Sequence, residues 1–138
     1  ERIAKEAGIA DRIIFTGVVS RDKLVDLYLA ADLYMMLSKF DTFGMVVPEA
    51  MAAGLPVMIS SHVGAKDLVG EGKNGFVIKD PSDHDYIASR LKILMDEQTR
   101  KTMSAAAVQT AAQNTWEKAA QNYQDIYAEI LAAKRVKD

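Results

Sequence analysis

The sequence contains no cysteine, so neither a disulfide nor a thiolate metal site can be built from it. Its two histidines, His62 and His84, have no second ligand at a metal-binding spacing, and no metal site is expected. Excess charge of one sign is also missing: 17 basic residues face 19 acidic ones, and no basic stripe with interleaved aromatics points to nucleic acid. The most apolar stretches, LVDLYLAADLYMMLS and VVPEAMAAGLPVMIS, are broken by carboxylates well short of the ~20 residues that span a bilayer. No charged-apolar-small signal pattern opens the chain. It starts at Glu1 inside a helical pattern, ERIAKEAG, and reads as a piece of something longer. Internal repeats and low-complexity segments are absent as well.

What remains is a chain of 138 residues, 49% hydrophobic and 26% charged, which is enough to bury one soluble globular core. Near-continuous apolar runs predict strands at Arg12 to Gly17 (RIIFTG), Leu33 to Ser38, Pro56 to Ser60 and Phe76 to Lys79, as for strands covered on both faces. Helices are predicted between them. Ser20 caps one that runs to Ala30, Met45 to Ala53 forms the next with Gly54 as its stop, and Ala65 to Val69 a short third. Strand and helix in alternation predict an α/β fold, a Rossmann-like parallel sheet with flanking helices. After Lys79 the pattern becomes helical. Ser82 with Asp85 forms a capping box for a helix to about Met95, a second helix covers Glu97 to Gln113, and Asn114 with Glu117 caps a third. In that last helix Trp116, Tyr123, Ile126, Tyr127 and Ile130 share one face, which is expected to pack on the core.

In such a sheet, ligands bind beyond the carboxyl ends of the strands. The stretch SKFDTFGMVVPEAMAAGLPV, residues 38–57, stands at one of these ends and holds two acids, Asp41 and Glu49, around Phe43 and Gly44. Gly44 lets a ligand approach the backbone closely. The amides of Met45, Val46 and Val47 are expected as first-turn donors, suited to a phosphate, and Pro48 is tolerated so early in a helix. Glu49 can accept two hydrogen bonds from a vicinal diol such as a ribose, and Asp41 can accept hydroxyls from a sugar across a diphosphate. A plain reading stands beside each: Glu49 as a solvated helix residue, Asp41 as a loop cap. Lys66 is read as a surface lysine within reach of the diphosphate, and Ser60 and Ser61 as turn residues.

The segment S-x-x-D-x-F-G-M-V-V-P-E-A-M-A-A-G-L-P-V resembles the donor-binding motif of retaining GT-B glycosyltransferases, the glycosyl transferases group 1 family, whose signature is two acids with seven residues between them. Seven residues separate Asp41 from Glu49. The resemblance extends through IIFTGVVSRDKLVDLYLAAD, SSHVGAKDLVGEGKNGFVIKDP and the Trp116 helix. It implies the incomplete C-terminal half of a GT-B fold, ending in a helical segment. It also implies transfer of a sugar from a UDP- or GDP-linked donor to an unidentified acceptor hydroxyl, without a metal or other cofactor. By position, Glu49 would hold the ribose and Asp41 the donor sugar. The backbone of Phe43, Gly44, Met45 and Val46 would hold sugar and diphosphate, with Gly17 and Val18 near the base.

Two departures stand out. Asp41 occupies a position where the family usually has Glu, and the family's glycine-pair and Glu segment reads Val63, Gly64, Ala65, Lys66, Asp67. The resemblance places the family's Arg/Lys pair, earlier strands and acceptor domain upstream of Glu1. The 138-residue chain is therefore expected to be inactive alone and to self-associate through exposed strand edges. Other readings are a sugar-nucleotide epimerase or phosphorylase domain and a non-enzymatic interaction module. A cytoplasmic location is expected, with peripheral membrane association of the whole protein left open.

Overall fold

The computed structural model describes residues 1–135. Helices α1 (Arg2–Glu6) and α2 (Arg21–Ala30) precede strand β1 (Tyr34–Met36), then α3 (Val46–Ala52), β2 (Val57–Ser60) and β3 (Gly75–Ile78). Helices α4 (His84–Leu94), α5 (Glu97–Gln113) and α6 (Trp116–Arg135) complete the chain. The strands form one parallel sheet in the order β1-β2-β3, with Tyr34 opposite Val57 and Val57 opposite Gly75. The α/β architecture is the one expected.

Successive strand residues point to opposite faces, and β2 shows why its run is apolar throughout. Val57 and Ile59 enter one core with Tyr28, Val47, Met51 and Ala107. Met58 enters the other, with Phe76, Ile78, Ile87, Leu94 and Met103. Every residue of β2 is buried, whereas β1 is only half-buried. The small side chains Ala50 and Ala107, both at 0% exposure, let α3 and α5 approach closely. Asn74, buried in the turn before β3, ties that turn to α5. Its amide donates to the Leu68 carbonyl and to Thr110 Oγ1, and its oxygen accepts from the Gly70 amide.

Several expectations need correcting. Residues 13–17 pair with no strand among the described residues: Ile13 is extended at φ −119° and ψ 126°, and Ile14 is 88% exposed. An apolar run becomes a strand only beside a hydrogen-bonding neighbour, and none lies along this one. The cap of α4 is Asp83, which accepts from the Tyr86 amide at 2.9 Å, not Ser82. Asp80 takes both the amide and the hydroxyl of Ser82, at 2.8 and 2.6 Å, which moves the helix start on by one residue. Likewise Thr115, not Asn114, caps α6, because the Asn114 side chain donates back to the Thr110 carbonyl at 2.8 Å. The third short helix is a 3₁₀ turn over Gly64–Leu68.

The largest difference concerns α6. Its apolar face does not pack on the core: Trp116 is 75% exposed, and Tyr123, Ile126, Tyr127 and Ile130 are exposed too. Periodicity fixes which side chains share a face, but a neighbouring surface must supply the burial. Among the described residues, no helix is long and apolar enough to cross a membrane.

Candidate functional site

The chain leaves β1 at its carboxyl end and reaches α3 through residues 37–45, and this connection is clamped to the one that follows β2. The buried Ser60 hydroxyl donates to the Ser38 carbonyl. Beyond it, the Asp41 amide donates to the His62 carbonyl at 3.2 Å, and the Gly64 amide to the Asp41 carbonyl at 3.1 Å. These two bonds form an isolated parallel bridge between Asp41 and Val63. The Ala65 amide then donates to the Phe43 carbonyl at 2.6 Å. The loop is thus an extension of the sheet past its edge, and each bond is worth about 0.5–1.5 kcal/mol net.

Two glycines permit this approach. A Cβ on Gly64 would lie 2.2 Å from the Thr42 carbonyl oxygen and 2.9 Å from Phe43 Cα, both backbone atoms. Gly44 turns the chain into α3 at φ +84°, a left-handed conformation that L side chains adopt at a cost. A Cβ there would also meet Val63 Cγ1 at 2.7 Å.

The two acids therefore sit on firmly held backbone. Asp41 is half-buried, and its Oδ1 accepts the Phe43 amide at 3.0 Å, an Asx turn that fits the loop-cap reading. Its Oδ2 accepts no hydrogen bond among the described residues. Glu49 is the fourth residue of α3, exposed, and its carboxylate takes part in no hydrogen bond or ion pair among the described residues. Of the three amides expected as donors, Val47 is engaged: it donates to the Gly44 carbonyl at 2.8 Å. Met45 and Val46 have no acceptor among the described residues, which leaves two amides directed out of the helix start.

Both carboxylates act on Tyr34 of β1, and Glu49 also on Tyr28 of α2. Tyr34 meets Tyr28 edge to face, with ring centroids 5.9 Å apart. Burial foremost, then the charges of Tyr28, Asp41 and Glu49, push the Tyr34 hydroxyl up to about 12. Tyr28 is pushed up for the same leading reason, with Glu49 adding to it.

Next to Glu49 lies a cavity of about 450 Å³. Phe43, Met45 and Pro48 line one side, Arg21 from the start of α2 another, and Trp116 and Lys118 from α6 a third. Asp41 and Gly44 do not line it. Gly17 and Val18, exposed in the loop before α2, make no hydrogen bond to residues 41–49. His62 is exposed and enters the clamp only through its backbone; Lys66 Nζ donates to the Ser61 carbonyl at 3.1 Å. Among the described residues no three His, Asp or Glu side chains converge as metal ligands would.

Sequence reading takes Ser60 as a turn residue without its clamping bond, and it misses Arg21 and the closeness of Gly64 to the loop. A serine ending an apolar strand is a signal for the first. The other two depend on residues distant in sequence, and no local pattern marks them.

Comparison with known proteins shows the family. A D-inositol 3-phosphate glycosyltransferase of Corynebacterium urealyticum is 32% identical over 130 residues, covering 94% of this chain and 31% of that protein. The sucrose-phosphate synthase of Thermosynechococcus elongatus superposes with a TM-score of 0.82 at 28% identity, over 96% of this chain and 33% of that one. Anabaena Alr3699/HepE, solved in complex with UDP, does so with a TM-score of 0.76 at 28% identity, over 96% of this chain and 35% of its own. The chain thus spans about a third of the length of the curated relatives it matches. With residues 1–110 matched by the model for glycosyl transferases group 1, the chain belongs to that family.

Proposed function

We propose that this chain is the donor-binding part of a glycosyltransferase that moves a sugar from a nucleotide sugar to an acceptor hydroxyl with retention of anomeric configuration and without a metal. The observation that carries the reading is the clamped loop. Two carboxylates with unengaged oxygens flank a left-handed glycine at the carboxyl edge of a parallel sheet. A relative of known structure in complex with UDP and with UDP-glucose supports a nucleotide-sugar donor.

In this reading Glu49 accepts the ribose hydroxyls and Asp41, through Oδ2, a hydroxyl of the donor sugar. The free amides of Met45 and Val46 face the diphosphate, with the Phe43 and Gly44 backbone beside them, while Gly17 and Val18 lie toward the base. As the glycosidic bond to the phosphate breaks, charge grows on the leaving group and meets dipoles already in place. Removing one such donor costs about 2.7–4 kcal/mol of barrier. Acceptor binding and the remaining donor contacts belong to the rest of the protein, and the 138-residue chain alone is inactive.

The test is calorimetric titration of the full-length protein and of this chain with nucleoside diphosphates of each base. Glu49→Gln should weaken binding about 10- to 100-fold, and by the same factor for every sugar donor, since the ribose is common to them. Losses at Glu49 that vary with the sugar would reverse the two roles. Absence of binding to either protein would sink the donor reading.

A further inference from the structure

Arg21 is an unexplained cation. It occupies the first position of α2, where the helix dipole disfavours positive charge, and it joins none of the ion pairs among the described residues. It makes no side-chain hydrogen bond there either, yet it lines the same cavity as Glu49. The cavity also holds Lys118 and Glu117, yet Arg21 and Glu49 pair with no side chain among the described residues, which leaves room for a ligand that meets both.

We propose that Arg21 is a specificity-determining residue that reads the base of the nucleotide, donating to the ring carbonyl of a keto base such as uracil or guanine and disfavouring adenine. The inference rests on the donor-site reading above and deepens it. Glu49 faces the cavity whereas Asp41 and Gly44 do not, so the sugar end of a bound donor lies outside it and the nucleoside end inside. Phe43, Pro48 and Trp116 give that space apolar walls suited to a planar ring. A guanidinium has only donors to offer. It matches the carbonyl edge of a keto base, as arginine matches guanine in nucleic acids, and faces the amino group of adenine donor to donor. Lys118 lines the same cavity but is a point charge on a flexible stem, without a fixed fork to discriminate edges.

The experiment measures the affinity of the full-length protein for UDP, GDP and ADP, in wild type and in Arg21→Gln, Lys118→Gln and Glu49→Gln. Wild type is expected to prefer a keto base. Arg21→Gln should weaken UDP or GDP about 10- to 100-fold and leave ADP within about twofold, so that the preference collapses. Lys118→Gln should leave the preference intact. Equal losses for all three nucleotides in Arg21→Gln would show a phosphate contact and overturn the proposal. So would an unchanged base preference, and in that case a loss in Glu49→Gln would still uphold the donor site. If wild type binds none of the three, both readings fall together.

Discussion

Gly64→Ala is the sharpest test of the clamp that holds the candidate site. The new methyl carbon would stand 2.2 Å from the Thr42 carbonyl oxygen and 3.0 Å from its carbon, and neither atom can rotate away. Relieving the overlap requires the two connections to part by roughly 1 Å, since non-bonded heavy atoms rest about 3.5–4.0 Å apart. The Asp41–His62 and Gly64–Asp41 bonds, at 3.2 and 3.1 Å, would then exceed hydrogen-bonding distance. Overpacking of this kind costs about 1–3 kcal/mol, which for a domain of this size lowers Tm by roughly 4–12 °C. A 1 Å misplacement of a reacting group costs on the order of 100-fold in rate. Thermal unfolding by circular dichroism reads the first effect and a glycosyl-transfer assay of the full-length protein the second. Nucleoside diphosphate affinity should fall less, because Glu49 is anchored by α3 and not by the loop. An alanine variant with unchanged Tm and unchanged transfer would refute the clamp.

Three further outcomes are expected. Asp96 caps α5 through the Thr99 hydroxyl and amide at 2.7 and 2.8 Å, and those bonds, the hydroxyl first, hold its carboxyl below the usual range. A depressed native pKa stabilises above the unfolded value near 3.9 and is lost as pH falls through the native one; in urea titrations Asp96→Asn should therefore show a flatter loss of stability below about pH 4 than wild type. Tyr34 has the opposite sign: with an ordinary value of 10.0 raised to about 12, its contribution is full below pH 10 and lost as pH rises toward 12. Tyr34→Phe should flatten that alkaline limb, and an unchanged slope would assign it to other groups. Finally, Ile14 and Phe15 are exposed on an unpaired segment, and β1 has no strand on its outer side among the described residues. Light scattering of the 138-residue chain across a concentration series should show mass growing with concentration, and a constant monomeric mass would count against self-association.

The elements that the sequence discloses are those whose signals are complete within themselves. The run at β2 is apolar because both faces are covered, and the Asp41 to Glu49 spacing survives intact as a loop acid and a helix acid. The limits of α5 coincide with the expected Glu97 to Gln113 because Asp96 and Asn114 mark its ends locally. What stays hidden depends on distant partners. Among the described residues RIIFTG has a strand's composition but no strand to pair with, and the Trp116 face has helical periodicity but stays exposed. The shift of the α4 cap from Ser82 to Asp83 turns on Asp80, which competes for the serine from two residues upstream. Arg21 shares a cavity with Glu49 across a sequence distance that no motif spans.

The seven-residue spacing follows from packing as much as from chemistry. Val47, Ala50 and Met51 form the buried stripe of α3, each at 0% exposure, with the i, i+3, i+4 pattern of a helix face against a core. Each residue turns the helix by about 100°, so moving the acid one place on, to position 50, would set a carboxylate in that core. One place back, position 48 holds Pro48, whose missing amide adds no further orphan donor to the first turn. Position 49 is therefore where a first-turn acid both remains in solvent and borders the cavity shared with Arg21. Asp41 is fixed from the other side by its bridge to Val63, and Gly44 alone absorbs the turn between them. The requirement that α3 bury its stripe and the proposed requirement that two carboxylates flank one donor are met by the same count of residues.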